Sequence, residues 1–208
     1  MIVIIDPGHG GSERVGGSSA NNATGPQGTL EKDLTLGIGL TTRDKLAAAG
    51  HSVLMTRDSD VNLGLSDRAK VAKDNDADVL VSIHFNGFDD PSVQGTETWV
   101  HDRHTENSKA IADHALARLV AATGYRDRGV RNKVLGVLNP DSHLAKTAAC
   151  LVEVSFITDP ADEQRLQDEA YRDSIAAALA QAVEDYAAQN AEAPLIAAAE
   201  GGSEDTIT

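Results

Sequence analysis

The stretch Ala77-Asp78-Val79-Leu80-Val81-Ser82-Ile83-His84-Phe85-Asn86 decides how this chain folds. From Asp78 to Ile83 the apolar residues are nearly continuous, the pattern of a central strand buried on both faces of a parallel sheet. The strand then runs into His84-Phe85-Asn86-Gly87, so a histidine is delivered at its carboxyl end. In open α/β sheets that end is where sites form.

Other segments repeat the arrangement. Ile2-Val3-Ile4-Ile5 is a β-branched run that stops at Asp6-Pro7-Gly8 and hands on to His9. Ser52–Met55 and Ala148–Val154 read as further strands, Gly95–Val100 alternates as an edge strand does, and Val134–Leu138 reads as a short strand. Helical spacing falls between them. Thr29 fits an N-cap and Gly50 the position after the C-cap of a helix that turns Leu30, Leu34, Ile38, Thr42 and Leu46 inward. Ser66 fits the cap of a helix reaching Asn75, with Ala69 and Ala72 inward. Residues 106–122 align Ile111, Ala115 and Leu119 and stop at Gly124, and 168–189 form a last amphipathic helix. Residues 10–29, rich in Gly, Ser and Asn, make a long loop of the kind that carries function. Strands alternating with helices predict an α/β fold, a three-layer sandwich with a mostly parallel sheet between helices. Residues 1–190 are expected to form one domain, and 191–208, without periodicity, a disordered tail or linker stub.

Three polar side chains fall at the ends of apolar strands: His9, His84 and Glu153. Glu31 opens the first helix after the long loop. Two neutral imidazoles and one carboxylate make the His₂Glu set of a catalytic zinc, which leaves a fourth position for water. Glu153 lies within Cys150-Leu151-Val152-Glu153-Val154-Ser155-Phe156, where an unpaired charge is costly. Such a carboxylate is a candidate for carrying protons between water and a leaving amine. The local pattern leaves plainer readings open, because none of these residues lies in a short metal motif such as H-E-x-x-H. His9 also fits a loop residue or a phosphate-cradling turn, Glu31 a charge favoured in a first helical turn, His84 a core histidine, and Glu153 a structural partner of Arg57 or Arg131. His101, His104 and Asp102 read as a solvated loop or, less simply, a second metal site. His51 reads as a surface turn, His114 as semi-exposed, His143 as a cleft candidate and Cys150 as a buried, inert thiol. Asn86, two residues past His84, is a candidate for binding substrate.

Taken together, several blocks resemble a known family. Ile4-Ile5-Asp6-Pro7-Gly8-His9-Gly10-Gly11, Leu30-Glu31-Lys32-Asp33-Leu34, Gly50-His51-Ser52-Val53-Leu54-Met55-Thr56-Arg57-Asp58 with Asp67-Arg68, the stretch from Ala77 to Asn86, and Leu151-Val152-Glu153-Val154-Ser155-Phe156-Ile157-Thr158-Asp159-Pro160 occur in the order seen in zinc-dependent N-acetylmuramoyl-L-alanine amidases of the amidase-3 type. The resemblance runs from residue 2 to about 186. It implies a six-stranded sheet between helices, one zinc ion on His9, Glu31 and His84, Glu153 as the catalytic carboxylate, and cleavage of the amide between muramic acid and L-alanine in peptidoglycan. The chain departs from common members at Phe85 and at Val154-Ser155-Phe156, and 101–110 matches no block.

Composition bounds the alternatives. The chain has 208 residues and a net charge of −14, which repels a phosphate backbone and argues against nucleic acid as a partner. With one cysteine, it can form neither an intrachain disulfide nor a cysteine-based zinc cluster. No apolar run is long enough to span a membrane. The start, Met1-Ile2-Val3-Ile4, lacks the basic and long apolar regions of a signal peptide. The expectation is a monomer held in the cytoplasm until released to the cell wall, as a phage endolysin is. The rival readings are a metal-dependent deacetylase or peptidase acting on the same polymer, and a non-catalytic wall-binding module.

Overall fold

The computed structural model describes residues 1–200, with side chains described through Ala191. Six strands form one sheet: β1 (Ile2–Pro7), β2 (Ser52–Met55), β3 (Val79–Asn86), β4 (Thr96–Val100), β5 (Asp127–Asn132) and β6 (Ala148–Phe156), in the order β2-β1-β3-β6-β4-β5. Every pairing is parallel except β4 with β6. The exception follows from connection length. A parallel return needs a crossover helix, whereas a short link brings the chain straight back. Residues 87–95 carry no helix, so β4 reverses the direction of β3 and lies beyond β6.

Two layers of helix cover the sheet. α1 (Glu31–Ala48), α3 (Glu106–Thr123) and α5 (Glu169–Glu200) pack on one face, burying Ile5, Val81, Ile83, Val152 and Val154 with Ile38, Leu46, Ile111, Leu119 and Leu179. α2 (Leu65–Asp74) and a short 3₁₀ turn at Gly136–Leu138 cover part of the other face over Ile4, Leu80, Ala149 and Leu151. A further short helix, α4 (Pro160–Leu166), follows β6 and is capped by Asp159, whose side chain accepts from the amide of Ala161. The fully buried positions of β1, β3 and β6 are what fix the sheet. Truncating one of them, such as Leu80→Ala, removes about 2–5 kcal/mol.

The architecture is the expected three-layer sandwich, but several local expectations are corrected. Thr29 and Ser66 are not caps. The N-cap positions are Leu30 and Gly64, neither with a side-chain bond, and Glu31 and Asp33 supply negative charge to the first turn of α1 instead. Gly50, with φ of 95°, does end α1 in the left-handed region. Gly95–Val100 does not give an edge strand: β4 is flanked on both sides, and β5 is the edge. The strand expected at Val134–Leu138 is instead irregular chain and the 3₁₀ turn, while pairing occurs earlier, at Asp127–Asn132, where the charged sequence hid it. α5 runs past the expected end at 189 to Glu200, through a segment rich in alanine that also holds Pro194. The rest of the expected tail, 201–208, lies outside the described residues.

Candidate metal centre and proton carrier

The site forms where β1, β3 and β6 end. β1 closes at Pro7, and the amide of Gly8 still donates to Ile83 O at 2.9 Å, holding the chain against β3. Gly8 must lack a side chain, because a Cβ there would overlap the His84 imidazole. The chain then turns through His9, which takes φ of 62°, a rare conformation for a non-glycine residue and one that persists where surroundings impose it. Those surroundings are two buried arginines. Arg57 donates to Pro7 O and Gly8 O, each at 2.9 Å, and to Lys32 O at 2.8 Å, tying the β1 turn to the start of α1. Arg68 donates to Pro7 O and His9 O, each at 2.7 Å, and to Asp6 Oδ1 at 2.8 Å.

Asp6 is fully buried, and burial alone would raise its pKa. Arg68, Ser82 and Thr56 overcome that and hold its carboxyl below the usual range. The carboxylate beneath the His9 loop is therefore fully partnered and favoured in its charged form.

Above it, three side chains converge. His9 Nε2 lies 3.1 Å and His84 Nδ1 3.0 Å from Glu31 Oε1. One ligand atom from each residue lies within 4.8 Å of the others. The two rings meet edge to face at 4.8 Å between centroids. Glu31 itself is 1% exposed, with Oε2 accepting from Ala23 N at 2.9 Å and Oε1 from Phe85 N at 3.1 Å. Burial would raise its pKa, but His84 and His9 bring it down to about 2. Burial likewise pulls the His9 pKa down, and Glu31 more than restores it, for a net rise.

The donor set fits a metal ion. His9 Nδ1 faces Ser19 O at 3.0 Å, so donating that proton leaves the Nε2 lone pair aimed at Glu31. Metal-binding histidines commonly use the remote nitrogen in this way. Lone pairs from two imidazoles and a carboxylate then face one another and need a cation among them. Zinc ligands at 2.0–2.2 Å in a tetrahedron stand roughly 3.3–3.6 Å apart, close to the two histidine–Glu31 spacings here. Among the described residues this is the one cluster with the spacing to hold a metal. His101 and His104 do not form a second one. His101 is buried rather than solvated, and with His104 and His143 it lines a small cavity at the opposite end of the sheet, where β4 ends and β6 begins.

Glu153 stands beside this cluster. It is in register with His84 of β3 on one side and Glu97 of β4 on the other, so all three point to the same face. Its Oε2 is enclosed and has no hydrogen-bond partner. Burial, and then the negative charges of Glu31 and Glu97, push its pKa well above the ordinary carboxylate value. Neither suggested ion-pair partner reaches it: Arg57 binds backbone carbonyls, and Arg131 turns to Glu97. Asn86 donates to Glu97 Oε1 at 2.9 Å, and Arg128 donates to Glu97 Oε2 at 2.7 Å.

Sequence reasoning missed Glu97, Arg68 and the supporting role of Arg57. Glu97 had a signal, a lone acid within the strand Thr96-Glu97-Thr98-Trp99-Val100. Arg68 had none beyond its place in a matching block, since its partner Asp6 lies 62 positions away. His51 is not a free surface turn but pairs with Glu184 of α5. His114 bonds Gln189 at 2.8 Å, and Cys150 is buried with its thiol pushed up to about 12.

Two clefts flank the centre. One, of about 110 Å³, is lined by His9, Ser18, Ser19, Leu65, His84 and Val137. The other, of about 190 Å³, is lined by Asn86, Glu97, Trp99, Lys133, Leu135 and Glu153.

Comparison with known proteins identifies the fold and the family. The amidase LytC of Bacillus subtilis (strain 168) is 34% identical over 178 residues, 85% of this chain, and the chain spans about a third (34%) of its length. An N-acetylmuramoyl-L-alanine amidase structure from Clostridium difficile 630 superimposes with a TM-score of 0.79 at 34% identity, covering 89% of this chain and 95% of that one. The amidase AmiC2 of Nostoc punctiforme gives 0.78 at 31% identity, covering 89% and 96%. The profile of the N-acetylmuramoyl-L-alanine amidase family matches residues 3–185, nearly the whole sheet and its helices. The chain belongs to the amidase-3 family of N-acetylmuramoyl-L-alanine amidases.

Proposed function

We propose that this chain hydrolyses the amide between the muramic acid lactyl group and L-alanine in bacterial peptidoglycan, with His9, Glu31 and His84 holding one zinc ion and Glu153 carrying the proton. Zinc, when bound there, supplies a Lewis acid that polarises a carbonyl and acidifies water. The protein supplies the rest. Ser19 O fixes the His9 ring so that Nε2 faces the centre. Glu31 contributes a carboxylate that stays ionised at any working pH. Glu153 takes the proton of the attacking water and returns it to the departing L-alanine nitrogen, leaving a free amine on the stem peptide and an intact glycan strand. Asn86, fixed by Glu97, is placed to contact substrate in the cleft beside Glu153.

The observation that carries this reading is the enclosed, partnerless Oε2 of Glu153 beside the metal-ready cluster. A buried carboxyl with no structural partner costs stability, and a proton-transfer role accounts for it. Chelation is expected to abolish release of L-alanine amino termini from purified walls, and zinc to restore it. Glu153→Gln is expected to retain one zinc per chain while turnover falls by a factor of about 10²–10⁴. Wild-type hydrolysis by the Gln variant removes Glu153 from the mechanism, and release of acetate or of cross-link peptides instead of L-alanine amines identifies a different bond.

The same reading takes residues 1–190 as the catalytic unit, in keeping with a family match that ends at 185. It takes the enzyme to act as a monomer and to reach the wall only on release from the cytoplasm, as a lytic phage enzyme does. The net charge of −14 supports the exclusion of nucleic acid. Among the described residues no helix is long and apolar enough to cross a membrane.

A further inference from the structure

The acidic charge of this protein is not evenly spread. Arg126, Arg128, Arg131 and Lys133 place four of its 18 basic residues within positions 126–133, against one acid, Asp127. This is the edge strand β5 with one residue on either side, and the topology sets it beside the cleft that holds Glu153. Arg128 is committed to Glu97, and Arg131 sits 3.4 Å from the same carboxylate with its guanidinium over the Trp99 ring. Lys133, exposed on the cleft rim, makes no ion pair among the described residues. The cleft on the other flank of the centre is lined by Ser18, Ser19, Leu65 and Val137, and its only charged groups besides the histidines, Asp6 and Arg68, neutralise each other.

We infer that the β4–β5 cleft is a subsite for a carboxylate of the stem peptide, held by Lys133 with Arg131, and that it sets the direction in which substrate crosses the site. The inference rests on the amidase reading and deepens it. Two independent arguments give the same polarity. The proton carrier must stand on the side of the leaving amine, and Glu153 lines the cleft that Lys133 borders, so the peptide departs toward β4 and β5. The glycan strand is built of neutral N-acetylated sugars, whereas the stem peptide beyond L-alanine carries free carboxylates. Lys133, the one cation of this cleft without an acidic partner among the described residues, therefore sorts the two halves of the substrate: peptide over the Lys133 side, sugar over the hydroxyl-lined cleft. Trp99 provides an apolar wall for the peptide stem, and Arg131, stacked on it and 3.4 Å from Glu97, offsets the charge of that carboxylate beside Lys133.

Titration of a soluble stem peptide into the wild-type chain tests this without relying on turnover. The probes are L-Ala-γ-D-Glu-L-Lys with its carboxyl terminus amidated, and the same peptide with the D-glutamate α-carboxylate also converted to carboxamide. The carboxylate form is expected to bind about tenfold more tightly, and that preference to shrink as salt is raised. In Lys133→Glu the preference is expected to vanish or invert, and in Lys133→Met to fall to about half on a logarithmic scale. Lys133 is exposed, so melting curves of both variants are expected to overlay that of the wild type. Equal affinity for the two peptides, binding of neither, or a preference that survives Lys133→Glu overturns the subsite. Failure of the parent reading is scored separately: if the zinc-loaded wild type releases no L-alanine amine from walls, the amidase proposal falls, while the titration still decides whether the cleft binds carboxylates.

Discussion

Two carboxylates, Asp6 fully buried and Glu153 half-buried with Oε2 enclosed, stand at opposite flanks of the same centre, and they are treated in opposite ways. At the β1 flank, Asp6 receives Arg68, Ser82 and Thr56, and its charge is locked on. At the β6 flank, Glu153 receives nothing at Oε2 and is surrounded by like charge from Glu31 and Glu97. A saturated buried charge fixes geometry, because moving it would strand its partners. An unsaturated one is unfavourable in the folded state and free to exchange a proton. The first flank is the frame that forces His9 into its rare backbone conformation, and the second is where the chemistry is left open.

Stability separates the two most strongly. Asp6→Asn leaves Arg68 buried without a counter-ion and is expected to cost about 3–5 kcal/mol, read from urea unfolding of the metal-free protein. Glu153→Gln removes a carboxyl that had no partner to lose, and is expected to leave the midpoint unchanged or to raise it. Their pH signatures also have opposite signs. The folded pKa of Asp6 is depressed, so its stabilisation is complete above the unfolded value of about 3.9 and is lost as pH falls through the folded one. That of Glu153 is raised, so its contribution favours the fold below about 4.3 and declines as pH rises toward the native value. In metal-free protein Asp6→Asn is expected to flatten the acid limb of stability and Glu153→Gln to flatten the neutral decline. Equal destabilisation by the two substitutions would erase the contrast.

The same division explains what was legible in the sequence. His9, His84 and Glu153 could be found because each interrupts or ends an apolar strand, and strand ends are where a parallel sheet exposes its residues. Glu31 could be named because two histidines needed a third ligand and a matching block supplied one. The frame was not legible. Asp6, Arg57 and Arg68 act through carbonyls and partners about 50–60 positions away, and no local spacing records that. β5 was invisible for another reason. Asp127-Arg128-Gly129-Val130-Arg131-Asn132 has no apolar alternation, since it is an exposed to half-buried edge strand that gives only Val130 to the core. The caps failed because α1 and α2 start without side-chain capping, from Leu30 and Gly64.

Glu97 lies between the two flanks in character, and its substitution is expected to have the smallest effect. It is 4% exposed and accepts from Asn86 and Arg128, so it resembles Asp6. Its cation, however, is less enclosed: the Arg128 side chain is 23% exposed and can turn toward water when the charge is removed. Glu97→Gln is therefore expected to cost about 1–2 kcal/mol, clearly less than Asp6→Asn. It also removes a negative charge facing Glu153, which lowers the pKa of that carboxyl. The acidic limb of the rate profile is then expected to move to lower pH, with Glu97→Asp restoring part of the wild-type position. A loss of stability as large as that of Asp6→Asn would make the β4 side part of the rigid frame. A rate profile that does not move would show that the charge of Glu97 does not tune Glu153, and would leave burial and Glu31 as the causes of its raised pKa.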